Sequence, residues 1–61
     1  MKIHQGKDGA YVTFEKIGLM WHVMLRAGNG EVADKVRCDD YRQAVEYRKS
    51  FIRIARNGVR S

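Results

Sequence analysis

The chain has 61 residues, with 12 Lys and Arg against 7 Asp and Glu, a formal net charge of +5 and an apolar fraction of 44%. That length suits one domain and excludes two-lobed enzymes that close around a substrate; a domain this small buries only about 60% of the surface its unfolded chain exposes, so oligomerisation is the expected remedy for a marginal core. The apolar content is too high for a disordered tail, no stretch approaches the roughly 20 apolar residues of a membrane span, and Cys38, the single cysteine, excludes internal disulfides and multi-cysteine metal sites.

Proline is absent and glycine punctuates the chain. Residues 2–5 suit a short edge strand, and Gly6-Lys7-Asp8-Gly9 reads as a turn. A second strand over about 10–17 is rich in aromatic and β-branched residues (Tyr11, Val12, Thr13, Phe14, Ile17). Gly18 is a weaker break. A third strand over about 20–27 alternates, with Trp21, Val23, Leu25 and Ala27 on one side and Met20, His22, Met24 and Arg26 on the other. Gly28-Asn29-Gly30 is the strongest turn signal, because Asn-Gly readily takes the positive φ values of tight hairpins. The strand over about 31–38 is less regular: Val32, Val36 and Cys38 share a side with Asp34, opposite Ala33, Lys35 and Arg37.

After Cys38 the period changes from about 2 to about 3.6. Asp40, with Gln43 three residues on, fits a capping box that opens a helix over about 41–56. Tyr41, Ala44, Val45, Tyr47, Phe51, Ile52, Ile54 and Ala55 cover roughly half its circumference, interrupted only by Arg48. Gly58 supplies a left-handed stop, with Val59 placed to pack back onto the helix. The expected fold is therefore α+β: an antiparallel meander of three strands, or four with the edge strand, packed against one C-terminal helix. The apolar arc is wider than one sheet face covers, and its surplus, Tyr47 and Ile54, together with Met20 and Met24, marks a candidate homodimer interface.

The chemistry-bearing residues are few. A nucleophilic cysteine needs a base and an orienting group; the two histidines, His4 and His22, are both remote from Cys38 in sequence, and Cys38 reads as a small buried hydrophobe. Those three residues with a carboxylate match no metal-ligand spacing, so neither metal nor cofactor is expected. Asp39 and Asp40 are explained by capping. Asp34 either pairs with an arginine, Arg48 being the candidate, or is turned outward by a bulge, while Arg48 can also simply snorkel. Gly28-Asn29-Gly30 joins two strands and lacks the Lys-Ser/Thr and helix of a phosphate loop. What remains is basic surface: Arg26, Lys35 and Arg37 on the sheet, and Lys49, Arg53 and Arg56 along one helix edge. Such a surface suits phosphate contacts, and also suits a merely solubilising face.

Two resemblances follow. From Trp21 to Glu31, most clearly Leu25-Arg26-Ala27-Gly28-Asn29-Gly30-Glu31, and with Ala44 and the helix to Asn57, the chain resembles the small bacterial YegP-type family of unknown function. That resemblance implies an α+β fold and, in some members, dimers, but no activity. Trp21, Arg26, Asn29-Gly30, Asp40, Ala44 and Tyr47 also resemble the three-strand-plus-helix DNA-binding domains of plant ethylene-response factors and the N-terminal arm-binding domains of tyrosine integrases. There the sheet enters the major groove, which implies that Arg26, Lys35 and Arg37 contact DNA. The expectation is a small basic non-enzymatic protein that binds nucleic acid; the alternative is a protein–protein interaction module, of a phage or accessory-regulator kind, acting as a dimer on a larger partner. No membrane association is expected, and a lone cysteine without an apolar signal region in Met1 to Gln5 fits a reducing cytoplasm.

Overall fold

The computed structural model describes residues 2–58. Strands β1 (Lys2–Gln5), β2 (Tyr11–Ile17), β3 (Met20–Arg26) and β4 (Val32–Cys38) form one antiparallel sheet in the order β1-β2-β3-β4, and helix α1 (Tyr41–Arg56) packs across one face of it. The edge strand does form, so the meander has four strands. Ala10, Ala27 and Glu31 fall just outside the strands, where the chain is already bending into turns. Val59 and Arg60 lie outside the described residues.

Strand alternation builds the core. Val12 stands opposite Leu25, Phe14 opposite Val23, and Trp21 opposite Cys38, all on the face that α1 covers. The helix answers with Ala44, Phe51 and Ala55, and Val36, Val45 and Ile52 close the margins. The two alanines let the helix axis approach the sheet closely. The rings of Phe14 and Trp21 stack at 5.2 Å between centroids, and Tyr41 meets Trp21 edge-on at 4.9 Å. Arg48 does not pair with Asp34: its guanidinium lies 4.7 Å from the Phe14 ring centroid, so its charge rests on a π face while its stem is half-buried. As the breadth of its apolar arc implied, the helix leaves Tyr47 and Ile54 exposed, and Tyr41 with them.

The turns depart from the simplest reading. Ile17 pairs with Met20 around Gly18-Leu19, and Gly18 at φ 61° occupies the first central position, the pattern of a type II′ hairpin. Gly28-Asn29-Gly30 is not a two-residue Asn-Gly turn. Only Gly30 has positive φ, at 90°; the Gly30 N–H donates to Ala27 O, and the Asn29 side-chain oxygen accepts from the Glu31 N–H at 3.0 Å. It is a three-residue loop ending in a left-handed glycine. Asn29 thus serves through its side chain, as an Asx turn does.

A register shift between Leu25 and Arg26 resolves the irregular fourth strand. Leu25 pairs with Asp34 and Arg26 with Val32, so the extra residue, Ala33, takes Val32 out of line with Val36. Val32 is exposed rather than part of the core, and Asp34 is exposed too, accepting from the Lys35 N–H at 2.8 Å. The bulge and the charges on β4 also protect that edge from pairing with another chain.

Asp40 caps α1, but through the Arg42 N–H at 3.0 Å and not through a box with Gln43. Gly58, at φ 85°, ends it as expected. At the same pole, Gly6 lies so close to α1 that a Cβ on it would fall 2.4 Å from the Ala55 carbonyl oxygen.

Candidate nucleic-acid interface

The face of the sheet opposite α1 is uncovered. Its residues are set by alternation and register: Ile3 and Gln5 from β1, Tyr11, Thr13, Glu15 and Ile17 from β2, Met20, His22, Met24 and Arg26 from β3, Val32, Lys35 and Arg37 from β4. The register aligns them in rows, Ile3–Thr13–Met24–Lys35 across four strands and Glu15–His22–Arg37 across three. Thr13 is only 9% exposed although nothing lies over its face, because its taller neighbours in the row shield it.

Two shallow depressions mark this face. One is bordered by His22, Met24, Lys35 and Arg37. The other is bordered by Ile3, Tyr11, Thr13, Met24 and Arg26, with Gln5 and Glu15 at its rim. They share Met24, so a hollow edged by His22, Lys35 and Arg37 adjoins one edged by Ile3, Tyr11 and Arg26.

Of the six basic candidates, Arg26, Lys35 and Arg37 come together here, and Lys49, Arg53 and Arg56 do not join them. The latter lie on α1, exposed, beside a separate depression that they share with Ile52. Arg26 is not free in solvent: it is half-buried, and its guanidinium donates to Gly30 O at 2.8 Å and to the Met24 sulfur at 3.4 Å. It braces the β3–β4 turn as well as lending charge. On the helix, Lys49 reaches Glu46 at 3.7 Å, an exposed pair that contributes little. The four interface candidates are likewise divided. Met20 and Met24 are on the sheet, half-buried; Tyr47 and Ile54 are on α1, 38% and 44% exposed. They form no single patch, because the sheet separates them.

Leu19 escaped the sequence reading. It is 85% exposed at the tip of the β2–β3 hairpin, next to Ile17 at 54%. The signal was present in the two-residue spacing between strands, which leaves a hairpin tip no core to reach.

The histidines and Cys38 do not converge. His4 stands opposite Val12, toward α1, with Nε2 buried and unpaired, whereas His22 is on the open face. Among the described residues no group of three or more His, Cys, Asp and Glu side chains is placed to hold a metal ion. No described helix is long and apolar enough to cross a membrane.

Cys38 is buried under α1, and burial first, then the Asp39 and Asp40 carboxylates, push its thiol above the ordinary range. A raised thiol keeps its proton in the fold at pH values where the unfolded chain has lost it. The stability it supports is complete below the ordinary thiol pKa and declines as pH rises beyond it. Native protein should therefore react with a disulfide reagent at mildly alkaline pH far more slowly than protein in denaturant. Equal rates would mean that Cys38 is open to solvent.

The chain matches no family model, no curated protein and no solved structure.

Proposed function

We propose that this is a small, basic, non-enzymatic protein that binds nucleic acid on the open face of its sheet. The observation that carries this reading is the convergence of Arg26, Lys35 and Arg37 with His22 on adjacent strands of an uncovered face, where Glu15 is the only described acid. Phosphate contacts need such a set of cations, and side chains between them to meet sugar and base. The resemblance to sheet-reading DNA-binding domains supports the same face. A buried, protonated Cys38 has no nucleophilic role to offer, and a free thiol suits a reducing cytoplasm.

The test is salt-dependent binding by fluorescence anisotropy. Lys35 and Arg37 are exposed and can be changed to Ala without touching the turn that Arg26 braces. Each phosphate contact contributes about 0.9 to the slope of log K against log salt for duplex DNA, or about 0.7 for a single strand. The double variant should lose about 1.4 to 1.8 of slope. The triple change of Lys49, Arg53 and Arg56 to Ala should leave the slope unaltered. If the triple variant loses slope and the double does not, the helix is the contact surface. If wild type shows no salt-dependent binding, the basic surface is only solubilising.

That last outcome would favour the second reading, a protein–protein module that works as a homodimer. Its support is apolar: Ile3, Met20 and Met24 on the open sheet face and Leu19 at the hairpin tip all lack cover. Gel filtration with light scattering separates monomer from dimer, and a monomer whose melting temperature does not fall on dilution excludes the dimer.

A further inference from the structure

Charge on the open face is one-sided. Lys35 and Arg37 line β4, and Arg26 stands at the adjoining end of β3. The other half carries Tyr11, Thr13 and Glu15 on β2, and Ile3 and Gln5 on β1. Neighbouring strands stand about 4.8 Å apart, so the four-stranded sheet is roughly 14 Å from edge to edge. That is close to the width of the duplex major groove, about 12 Å.

A sheet of this width laid in the groove would meet a phosphate backbone at each margin. At β4 the backbone would find two cations. At β1 it would find Ile3 and Gln5, with no cation, and Glu15 would face the groove floor. A duplex therefore satisfies only half of this face. A single strand has the matching asymmetry, with phosphates along one side and bases along the other.

Resting on the nucleic-acid reading above, we infer that the occupant is a single-stranded nucleic acid, its phosphodiester backbone along β4 and its bases on Tyr11, Thr13 and Met24. The two adjoining hollows match that division. The first, with Lys35 and Arg37, takes phosphate, and the second, with Tyr11, Thr13 and Met24 and with Arg26 and Glu15 at hand to meet polar base edges, takes a base. Lys35 and Arg37 are two residues apart on one strand face, a step of about 6.8 Å, so they can serve successive phosphates of an extended chain. Tyr11 offers the aromatic face on which any base stacks. Glu15, in line with His22, is an acceptor beside the bases rather than a charge beneath a phosphate.

The experiment compares labelled oligo(dT), oligo(U) and a mixed-sequence duplex of equal length, binding wild-type protein at about 50 and 200 mM salt. Single strands should bind at least about tenfold more tightly than duplex. Tyr11→Ala should weaken single-strand binding by about tenfold, the order of one lost stacking contact. Tyr11→Phe should bind as wild type, since the ring and not the hydroxyl is used. Circular dichroism checks that both variants fold; if Tyr11→Ala does not, the wild-type preference between single strand and duplex still decides. Duplex bound as tightly as single strands would overturn this inference and leave the nucleic-acid reading standing. No binding to any of the three would overturn both. A preference between oligo(dT) and oligo(U) would tell DNA from RNA as the source of the strand.

Discussion

Gly6→Ala should be among the most damaging single-methyl additions to this protein, and thermal melting will show it. The new Cβ would lie 2.4 Å from the Ala55 carbonyl oxygen, 2.6 Å from its carbon and 2.7 Å from its Cβ. None of those atoms is the end of a flexible side chain, so the last turn of α1 must move off the sheet. Overpacking of this kind costs about 1–3 kcal/mol and occasionally more. A domain of this length has roughly 3–9 kcal/mol of stability in all. About 3 kcal/mol would lower the melting temperature by roughly 12–24 °C. The comparison is Gly18→Ala, where the backbone is left-handed at φ 61° but nothing lies within 4 Å of the added atom. That change meets only backbone strain of about 1–2 kcal/mol. If Gly6→Ala melts as high as Gly18→Ala or higher, the helix does not pack against Gly6 as described.

Phe14→Ala should also approach the limit of what the fold survives. Phe14 is buried between the stacked Trp21 ring, the edge of Tyr41 at 6.2 Å and the Arg48 guanidinium. Truncation of a buried Phe costs about 3–5 kcal/mol, half or more of a margin of roughly 3–9 kcal/mol. Phe14→Leu separates volume from aromatic character. It fills most of the space but loses the ring pairing and the cation's seat, together about 1–3 kcal/mol. Adding Arg48→Met both to the wild type and to the Phe14→Leu variant measures the cation's share. Its cost should be smaller in the Phe14→Leu background than beside the native ring, and equal costs in urea unfolding would show that Arg48 acts only through its stem.

Much of this fold can be read from period and punctuation. The change of rhythm after Cys38 places the helix, and Asp40 and Gly58 bound it. Strand alternation alone sorts Trp21, Val23 and Leu25 from His22, Met24 and Arg26, and so yields the open face. Where the reading failed, a non-local fact intervened. Val32 looked like core because alternation assumes unbroken pairing, and the bulge opposite Leu25 and Arg26 breaks it. Asp34 stays on the apolar side, opposite Leu25, and meets solvent there because β4 is the sheet's edge. Arg48 found Phe14, not Asp34, because cross-strand packing against the helix decides which side chains meet. Arg26 was expected in solvent, yet it turns back to Gly30, a contact that depends on the loop's shape. Gly6 and Gly28 read as turn residues, but each is also a place where backbone meets backbone, and spacing carries no sign of that.

The seat of Ala55 on Gly6, with Gly58 against Lys7 and Asp8, has a practical consequence for handling the molecule. The first loop and the last helical turn share one pole, and the Gly18-Leu19 tip is at the far end of the strands. A change at that pole therefore disturbs the first loop and the helix end together. A label or an insertion belongs instead at Gly18-Leu19, an exposed hairpin tip remote from that contact. Gly6 and Ala55 lie far apart in sequence, so their contact closes a loop over most of the chain, and its entropy is part of what the fold must offset.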